Sequence, residues 1–125
     1  MHVMDLMPTL CDVAQANYPK NNKGVAIQPP SGQSILPVLR GGTLADRDLC
    51  FEHEGARALR HGDWKIVWGK RSTTPISWEL YNLTSDPVEL VDLASQYPDL
   101  VQAMSARWSQ WADLVGVHQA KTTVP

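Results

Sequence analysis

The last third of the chain carries the feature that most constrains its fold. Between Pro98 and Val115, apolar residues recur every three or four positions: Leu100, Val101, Met104, Trp108, Trp111, Leu114 and Val115. This spacing predicts one amphipathic helix with a single apolar face, and Gly116 suits its C-terminal cap. Because both tryptophans fall on that face, we expect Trp108 and Trp111 to pack against a sheet rather than a ligand.

Short segments separated by turn residues precede this helix and predict such a sheet. Glu54-Gly55 and His61-Gly62-Asp63 are turn sequences, since glycine supplies the positive φ of tight hairpins, and a polar loop is expected over 69–75. Alternation between them predicts strands at 49–53, 56–60, 64–68 and 78–83. The sequence therefore predicts an α+β fold, in which a small antiparallel sheet of about four strands packs against the long C-terminal helix.

The first part of the chain reads differently. Its first predicted helix is apolar on more than one side, with Met7 and Cys11 as well as Leu6 and Leu10. A helix apolar over a wide arc needs partners on several sides. We therefore expect residues 1–45 to end a larger α/β domain and residues 46–125 to form a C-terminal α+β subdomain.

Capping residues and helix-breaking residues predict the remaining local elements. Asp5 is an N-cap candidate for the first helix, and Asp86 for a short helix that Pro87 begins. Ser34 caps a short helical turn that ends before Gly41. The predicted ranges are a helix at 5–16, a loop at 17–32, a helical turn at 34–39, a short helix at 86–93 and a frayed tail at 118–125.

Size and charge exclude several classes of protein. The 125 residues suffice for one small domain, with 43% hydrophobic residues, 19% charged residues and a net charge of -2. Nothing in this balance favours binding to nucleic acid or to an anionic membrane, and no apolar run approaches the roughly 20 residues of a membrane span. The N-terminus does not resemble a signal peptide. If the parent protein is periplasmic, secreted or lysosomal, its signal lies upstream.

The two cysteines, Cys11 and Cys50, are interpreted as small apolar residues in a helix and a strand. Two distant cysteines make no disulfide framework. A bridge between them stays open, because it depends on geometry that the sequence does not give.

The titratable cluster with the clearest resemblance to a ligand set is Glu52-His53-Glu54. On a strand, the two glutamates would face one way and His53 the other, so the three would not converge on a metal ion. A histidine at a strand end beside a glycine turn is still placed to line a cleft. His53 is therefore the one candidate substrate-binding residue, with a structural histidine as the alternative.

Two other groups of residues have both a functional and a structural interpretation. The first is a basic stretch, which suits an anionic substrate or simply the solvated face of a hairpin. It comprises Arg57, Arg60, His61, Lys65, Lys70 and Arg71. The second is the set of five tryptophans, for which core packing is favoured over a sugar-stacking platform. No phosphate-binding glycine loop, CxxC pair, HExxH or GxSxG motif is present.

Four segments, in order along the chain, resemble the C-terminal part of type I sulfatases of the arylsulfatase kind. Residues 2–14 (HVMDLMPTLCDVA) are similar to D-[LI]-x-P-T-L-L-[DE]-L-A-G, with Cys11 in place of a leucine. Residues 31–41 (SGQSILPVLRG) resemble G-x-S-L-L-P-L-L-x-G. Residues 51–67 (FEHEGARALRHGDWKIV) resemble E-H-E-G-N-R-A-V-R-x-G-x-W-K-L-V, with Ala56 for asparagine. Residues 78–94 (WELYNLTSDPVELVDLA) resemble E-L-Y-D-L-x-x-D-P-x-E-x-x-N-L-A.

The resemblance implies an alkaline-phosphatase-like fold and a sulfuric ester hydrolase. Members of the family use calcium and a formylglycine made from a Cys or Ser in C/S-x-P/A-x-R. Neither Cys11 nor Cys50 fits that motif, and Ser85-Asp-Pro-Val-Glu has Glu89 where it needs arginine. The acidic pairs that bind calcium in the family have no counterpart either. The resemblance thus implies no catalytic or metal-binding residue in this segment, and an upstream catalytic domain as its partner.

Three functions remain open from the sequence. The first is a sulfatase fragment that supports the fold and forms one wall of the cleft for a sulfate ester. The second is a free-standing, non-catalytic interaction domain derived from a sulfatase. The third is a related phosphatase or phosphonate hydrolase of the same superfold, since the nucleophile that distinguishes them is not in this segment.

Overall fold

The computed structural model describes residues 1–69 and 77–117. The chain divides into two compact units, Met1–Ala45 and a second that begins at Asp46, and each is described by itself. That the first unit ends a larger α/β domain stays a prediction. The predicted loop at 69–75, beyond Gly69, and the tail at 118–125 lie outside the described residues.

The first unit is built from short elements. A 3₁₀ turn, Val3–Asp5, leads into helix α1, Leu6–Val13. A small hairpin follows, whose strands β1 (Asn21–Asn22) and β2 (Val25–Ala26) have two residues each. A short helix, α2 (Leu36–Leu39), comes after it. The hairpin was not predicted: Lys23 and Gly24 both take positive φ, 50° and 85°, and so form the tight turn that joins the two strands.

The second unit is a four-stranded antiparallel sheet followed by a long helix. The strands are β3 (Asp48–His53), β4 (Ala56–His61), β5 (Trp64–Trp68) and β6 (Glu79–Asn82), in that spatial order. Helix α3 spans Pro98–Val115 and ends at Gly116, whose φ of 74° forms the left-handed cap. The predicted α+β fold class, with about four strands and a long last helix, is therefore confirmed.

The core of the second unit lies between one face of the sheet and α3. The strand register places Cys50, Leu59, Ile66 and Leu80 in one row across the sheet. Leu59, Ile66 and Leu80 are fully buried against three residues of α3: Met104, Trp108 and Ala112. Burial of side chains of this size contributes roughly 1.5–3 kcal/mol each. The prediction that Trp108 and Trp111 pack on the sheet is confirmed, since Trp111 also packs against this core.

The predicted apolar stripe of α3 is confirmed along most of the helix but not at its C-terminal end. Leu114 was assigned to that stripe but is 84% exposed, whereas Ala112 is fully buried. The buried line follows Met104, Trp108 and Ala112 at four-residue spacing, which keeps one ridge of the helix on the sheet. Leucine at position 114 points away because its position falls outside that ridge.

Two helix predictions were wrong in extent or kind. The first helix, predicted over 5–16, spans only Leu6–Val13. Asp5 occupies its N-cap position, as predicted, but the Asp5 side chain makes no capping hydrogen bond to it. The short helix predicted over 86–93 does not form. Glu89 has a φ of 58°, which interrupts a right-handed helix. Asp86 still acts as a cap-like acceptor, but its carboxylate receives the N–H groups of Leu90 and Val91 and so closes an irregular turn.

Candidate functional site

Helix α1 carries a polar side that fastens the loop before α2. The Thr9 hydroxyl donates to the Asp5 carbonyl oxygen at 2.6 Å and accepts the Ile35 N–H at 3.1 Å. The Asp5 carboxylate accepts the backbone N–H groups of His2 and Gln33, at 2.7 and 3.1 Å. These bonds explain why Asp5 is buried although its side chain makes no capping hydrogen bond to α1.

Glycine at position 32 is required by this fastening. A Cβ atom on Gly32 would lie 2.0 Å from the Met4 carbonyl oxygen. Ser34 adds a further tie, donating to Asp12 at 2.7 Å and accepting the Leu36 N–H at 3.2 Å. Helix α2 has Ile35 in its N-cap position, so Ser34 is not the N-cap that the sequence predicted, although its hydroxyl contacts the first residue of the helix.

The opposite side of α1 is apolar and uncovered. None of the apolar side chains of residues 1–45 is buried, and Leu10 and Val13 are 62% and 59% exposed. The exposed apolar residues of this side recur at helical spacing: Val3, Leu6, Met7, Leu10 and Val13. A face of this kind is typical of a helix that packs against another part of a protein.

The Glu52-His53-Glu54 cluster lies at the tip of the β3–β4 hairpin. His53 is exposed and is the last residue of β3, paired with Ala56. Glu54 and Gly55 form the turn, with φ values of 51° and 85°, and Glu52 accepts the Gly55 N–H at 3.0 Å. Glu54 is therefore a turn residue. The sequence had suggested that Glu52 and Glu54 share one face of a strand, and this prediction was wrong.

The basic stretch is divided between the two faces of the sheet. Arg57 is on the α3 side, with its guanidinium carbon 5.4 Å and 5.0 Å from the ring centroids of Trp68 and Trp108. These are cation–π distances. Arg60 and Lys65 pair across β4 and β5 on the other face. The stretch is thus not one anion-binding surface in the described residues; Lys70 and Arg71 lie outside them.

The tryptophans form a chain of ring contacts inside the second unit. Trp78 lies between Trp68 and Trp108, with centroid distances of 5.6 and 5.8 Å, and Trp108 contacts Trp111 at 6.1 Å. Trp64 contacts Tyr97 at 5.3 Å. This arrangement supports core packing and not a sugar platform.

A cleft of about 490 Å³ opens on the sheet face that turns away from α3. Its lining comprises Phe51, Arg60, Lys65, Leu83, Pro87 and Glu89. Strand alternation places the first three on one face of the sheet, but no local sequence pattern predicts their contact with the segment after β6. Lys65 forms an ion pair with Glu89, 24 positions away, and this pair closes one side of the cleft. His53 lies on the same face of the sheet but is not among the residues that line the cleft.

The Cys50 thiol and the Tyr81 hydroxyl, both in the second unit, have raised pKa values. Burial, with the nearby Asp48 carboxylate, raises the pKa of Cys50 to about 11, which makes the thiol a poor nucleophile at neutral pH. Burial and a 2.7 Å hydrogen bond to Glu79 raise the pKa of Tyr81 well above its usual range. Both cysteines are free. Neither shift creates a reactive group.

Asp48 joins three elements. One of its carboxylate oxygens lies 2.8 Å from His61 Nδ1 and 3.0 Å from Arg107 Nη1, so it connects β3, β4 and α3. All three side chains are about a third exposed. Pairs with this exposure contribute little, on the order of 1 kcal/mol or less.

Within residues 1–69 and 77–117, no three His, Cys, Asp or Glu side chains converge to hold a metal ion. The part of the chain that the structure describes also has no helix with the length and apolarity that a membrane crossing requires.

The amino-acid sequence of the chain is similar to part of the sequence of known sulfatases. The chain is 29% identical, over 92% of its length, to an uncharacterized sulfatase of Schizosaccharomyces pombe. It is 25% identical, over 84% of its length, to arylsulfatase K of Canis lupus familiaris. No family model matches the sequence. The chain is a C-terminal sulfatase segment. It spans only 22% and 21% of the length of these two sulfatases.

The fold of the segment is also found in solved structures. Ps i-CgsB, crystallised in complex with k-i-k-neocarrahexaose, matches 86% of this chain with a TM-score of 0.67 and 21% identity, over 23% of its own chain. The phosphonate monoester hydrolase of Agrobacterium radiobacter matches 85% with a TM-score of 0.50 and 21% identity, over 23% of its own chain. At these identities the likeness concerns the fold alone.

The structure gives physical roles to residues that carry the sulfatase resemblance. In the last motif of the sulfatase segment, Asp86 closes a turn and Glu89 pairs with Lys65. Asp92 accepts the N–H groups of Leu80 and Ala94, at 3.0 and 2.8 Å, and so ties the segment after β6 back to that strand. These contacts are structural, and none of these side chains needs a ligand to explain it.

Proposed function

We propose that this sulfatase segment supports the fold of a sulfuric ester hydrolase and forms part of the wall of its substrate cleft. On this proposal, the nucleophile and the metal site belong to an upstream catalytic domain. Calcium and a formylglycine nucleophile, which the family implies, would likewise be held upstream. The described residues offer no ligand set for a metal ion, so no catalytic step is assigned to them.

The observation that carries the proposal is the uncovered apolar side of α1. A 45-residue unit that buries Asp5 and Thr9 but no apolar side chain lacks a hydrophobic core of its own. The polar side of α1 already contacts residues 33–35 through hydrogen bonds, so the apolar side is the one that a partner would cover. Since the sulfatases that match the chain are roughly four times its length, the upstream polypeptide is the partner that this proposal names.

His53 is the residue that we propose for the cleft wall. It lies at a hairpin tip with an exposed ring, and none of the described residues hydrogen-bonds to that ring. An imidazole in this position is able to bond to a sulfate oxygen or to a hydroxyl group of the substrate. It would bind and orient the substrate rather than transfer the main proton, because the acid–base residues that the family implies lie upstream.

The test uses the complete polypeptide encoded by the gene from which this segment comes. We expect an upstream C/S-x-P/A-x-R motif, and calcium-dependent hydrolysis of nitrophenyl sulfate by the purified product. Nitrophenyl phosphate and a phosphonate monoester serve as competing substrates, so that faster turnover of either would assign the protein to the related phosphatases or phosphonate hydrolases. A gene that encodes no such motif would instead favour the non-catalytic interaction domain.

A further inference from the structure

We propose that the cleft on the open face of the β3–β6 sheet binds a segment of the upstream part of the same polypeptide, one that places a carboxylate beside an apolar side chain. This inference rests on the proposed function, because it requires an upstream domain. It goes beyond it by identifying a second docking surface, in the unit that begins at Asp46, and the chemistry that the surface recognises.

The charge of the cleft defines half of that chemistry. Two cations, Arg60 and Lys65, line it together with one carboxylate, Glu89. Glu89 is committed to Lys65. Arg60 donates from Nε to the Gly62 carbonyl oxygen at 3.0 Å, which fixes the guanidinium, and no carboxylate among the described residues pairs with it. A held guanidinium with unused donors fits an incoming carboxylate.

The apolar part of the cleft defines the other half. Phe51 is 40% exposed beside Leu83 and Pro87. The segment that forms this edge of the cleft also exposes Val88, Leu90 and Val91, of which Leu90 is 80% exposed. A small anion would leave these side chains in water, whereas a polypeptide surface would bury them at roughly 25 cal/mol per Å².

The choice of occupant follows from symmetry and from length. In a twofold dimer, each copy presents the same patch to the other, so Arg60 would face a cleft whose one carboxylate is already paired with Lys65. A second copy therefore lacks the complementary charge. The matching sulfatases carry roughly four-fifths of their length outside the part that corresponds to this chain, which supplies a polypeptide of sufficient size.

The experiment is site-specific photo-crosslinking in the complete polypeptide. Phe51 is replaced by the photo-crosslinker p-benzoylphenylalanine, and crosslinked peptides are identified by mass spectrometry. Gln102, exposed on α3, serves as the control position. We expect crosslinks from position 51, and not from position 102, to an upstream peptide that contains Asp or Glu. Crosslinks between two copies at position 51, or none at all, would overturn the inference.

A charge exchange then tests the role of Arg60. Arg60→Gln should lower the Tm of the complete polypeptide by about 2 °C, whereas Gln102→Glu, which makes the same change in net charge, should not. Arg60→Glu combined with the upstream carboxylate changed to arginine should restore the Tm. If sulfatase activity is present but Arg60→Gln leaves the Tm unchanged, this inference fails and the proposed function stands. If the gene encodes no upstream sulfatase domain, the proposed function itself fails.

Discussion

The indole Nε1 of Trp108 donates a 3.0 Å hydrogen bond to the carbonyl oxygen of Phe51, which lies 57 positions earlier in the chain. Trp108 is fully buried, and β3 is an edge strand of the sheet. The bond therefore fixes the position of α3 relative to that edge. It also places the α3 anchor directly behind the strand that carries Phe51 in the cleft and His53 at the hairpin tip.

Replacing this tryptophan should separate its packing from its hydrogen bond. Trp108→Ala should cost about 3–5 kcal/mol, because it leaves a large cavity under the sheet. Trp108→Phe keeps part of the volume but loses the bond to Phe51, so we expect a smaller cost. Urea denaturation followed by circular dichroism measures both. Trp111→Ala is the control, and an equal loss there would show that the buried position of Trp108 has no special weight.

The fastening of α1 to the loop before α2 should depend on the Thr9 hydroxyl. Thr9→Val preserves the shape of the side chain but removes the acceptor of the Ile35 N–H. We expect hydrogen exchange at the Ile35 amide to accelerate by about tenfold, which corresponds to about 1.4 kcal/mol. Thr43→Val, at an exposed position, is the matched control. Unchanged exchange at Ile35 would show that the hydroxyl does not hold the loop.

The sheet and the long helix could be predicted from sequence because their signals are local. Strand alternation, glycine turns and the three-to-four spacing of α3 each act over a few residues. Strand β5 and helix α3 match their predicted ends, Trp64–Trp68 and Pro98–Val115. The α3 face was predicted less well, because Leu114 satisfies the spacing but lies off the ridge that contacts the sheet.

The cleft could not be predicted, because it depends on a non-local pair. Lys65 and Glu89 form an ion pair although they are far apart in the sequence. Glu89 also has a positive φ, in a segment whose sequence predicts a short helix. The role of Asp5 was missed for a similar reason. Its capping pattern is local, whereas its actual contact with the Gln33 N–H spans 28 positions. The strand pattern predicted that His53 lies at the end of a strand, and it does. No contact among the described residues tests its function.

The raised pKa of Cys50 should make the stability of the chain fall at alkaline pH. Burial, with the nearby Asp48 carboxylate, raises the pKa of the Cys50 thiol from its ordinary value of 9.0 to about 11 in the folded chain. The unfolded state therefore binds fewer protons in this window, and the free energy of unfolding decreases as the pH rises from about 9 to about 11. Tyr81 contributes in the same direction.

A comparison of variants isolates the Cys50 contribution. In Cys50→Ala, the decrease between about pH 8 and about pH 11 should be smaller than in the unmodified chain, as measured by urea denaturation under reducing conditions. Cys11→Ala removes the other thiol and is the control. If Cys50→Ala and Cys11→Ala show the same decrease, the environment of Cys50 does not raise its pKa as described.

The segment alone should be inactive. We expect the purified 125-residue chain to hydrolyse no nitrophenyl sulfate and to bind no calcium specifically, because it carries neither the formylglycine motif nor the acidic pairs that the family implies. Product formation and isothermal titration with calcium measure the two properties, and the complete polypeptide is the positive control. Calcium-dependent turnover by the segment would place a catalytic site within these residues and would contradict the proposed division of roles.

His53 should affect catalysis without affecting stability. The ring is exposed at a hairpin tip, so its removal creates no cavity and breaks no bond to a described residue. If it bonds to the bound sulfate ester, as proposed, His53→Ala in the complete polypeptide should lower kcat/KM by about tenfold, or about 1.4 kcal/mol, with the Tm unchanged. His53→Gln, which keeps a hydrogen-bond donor, should recover part of the loss. Glu54→Asn is the control for a general disturbance of the hairpin, because Glu54 has a positive φ and asparagine adopts such a φ readily. Equal kinetics for His53→Ala and the unmodified enzyme, or a loss shared by Glu54→Asn, would remove His53 from the substrate cleft and leave it as a surface residue of the hairpin.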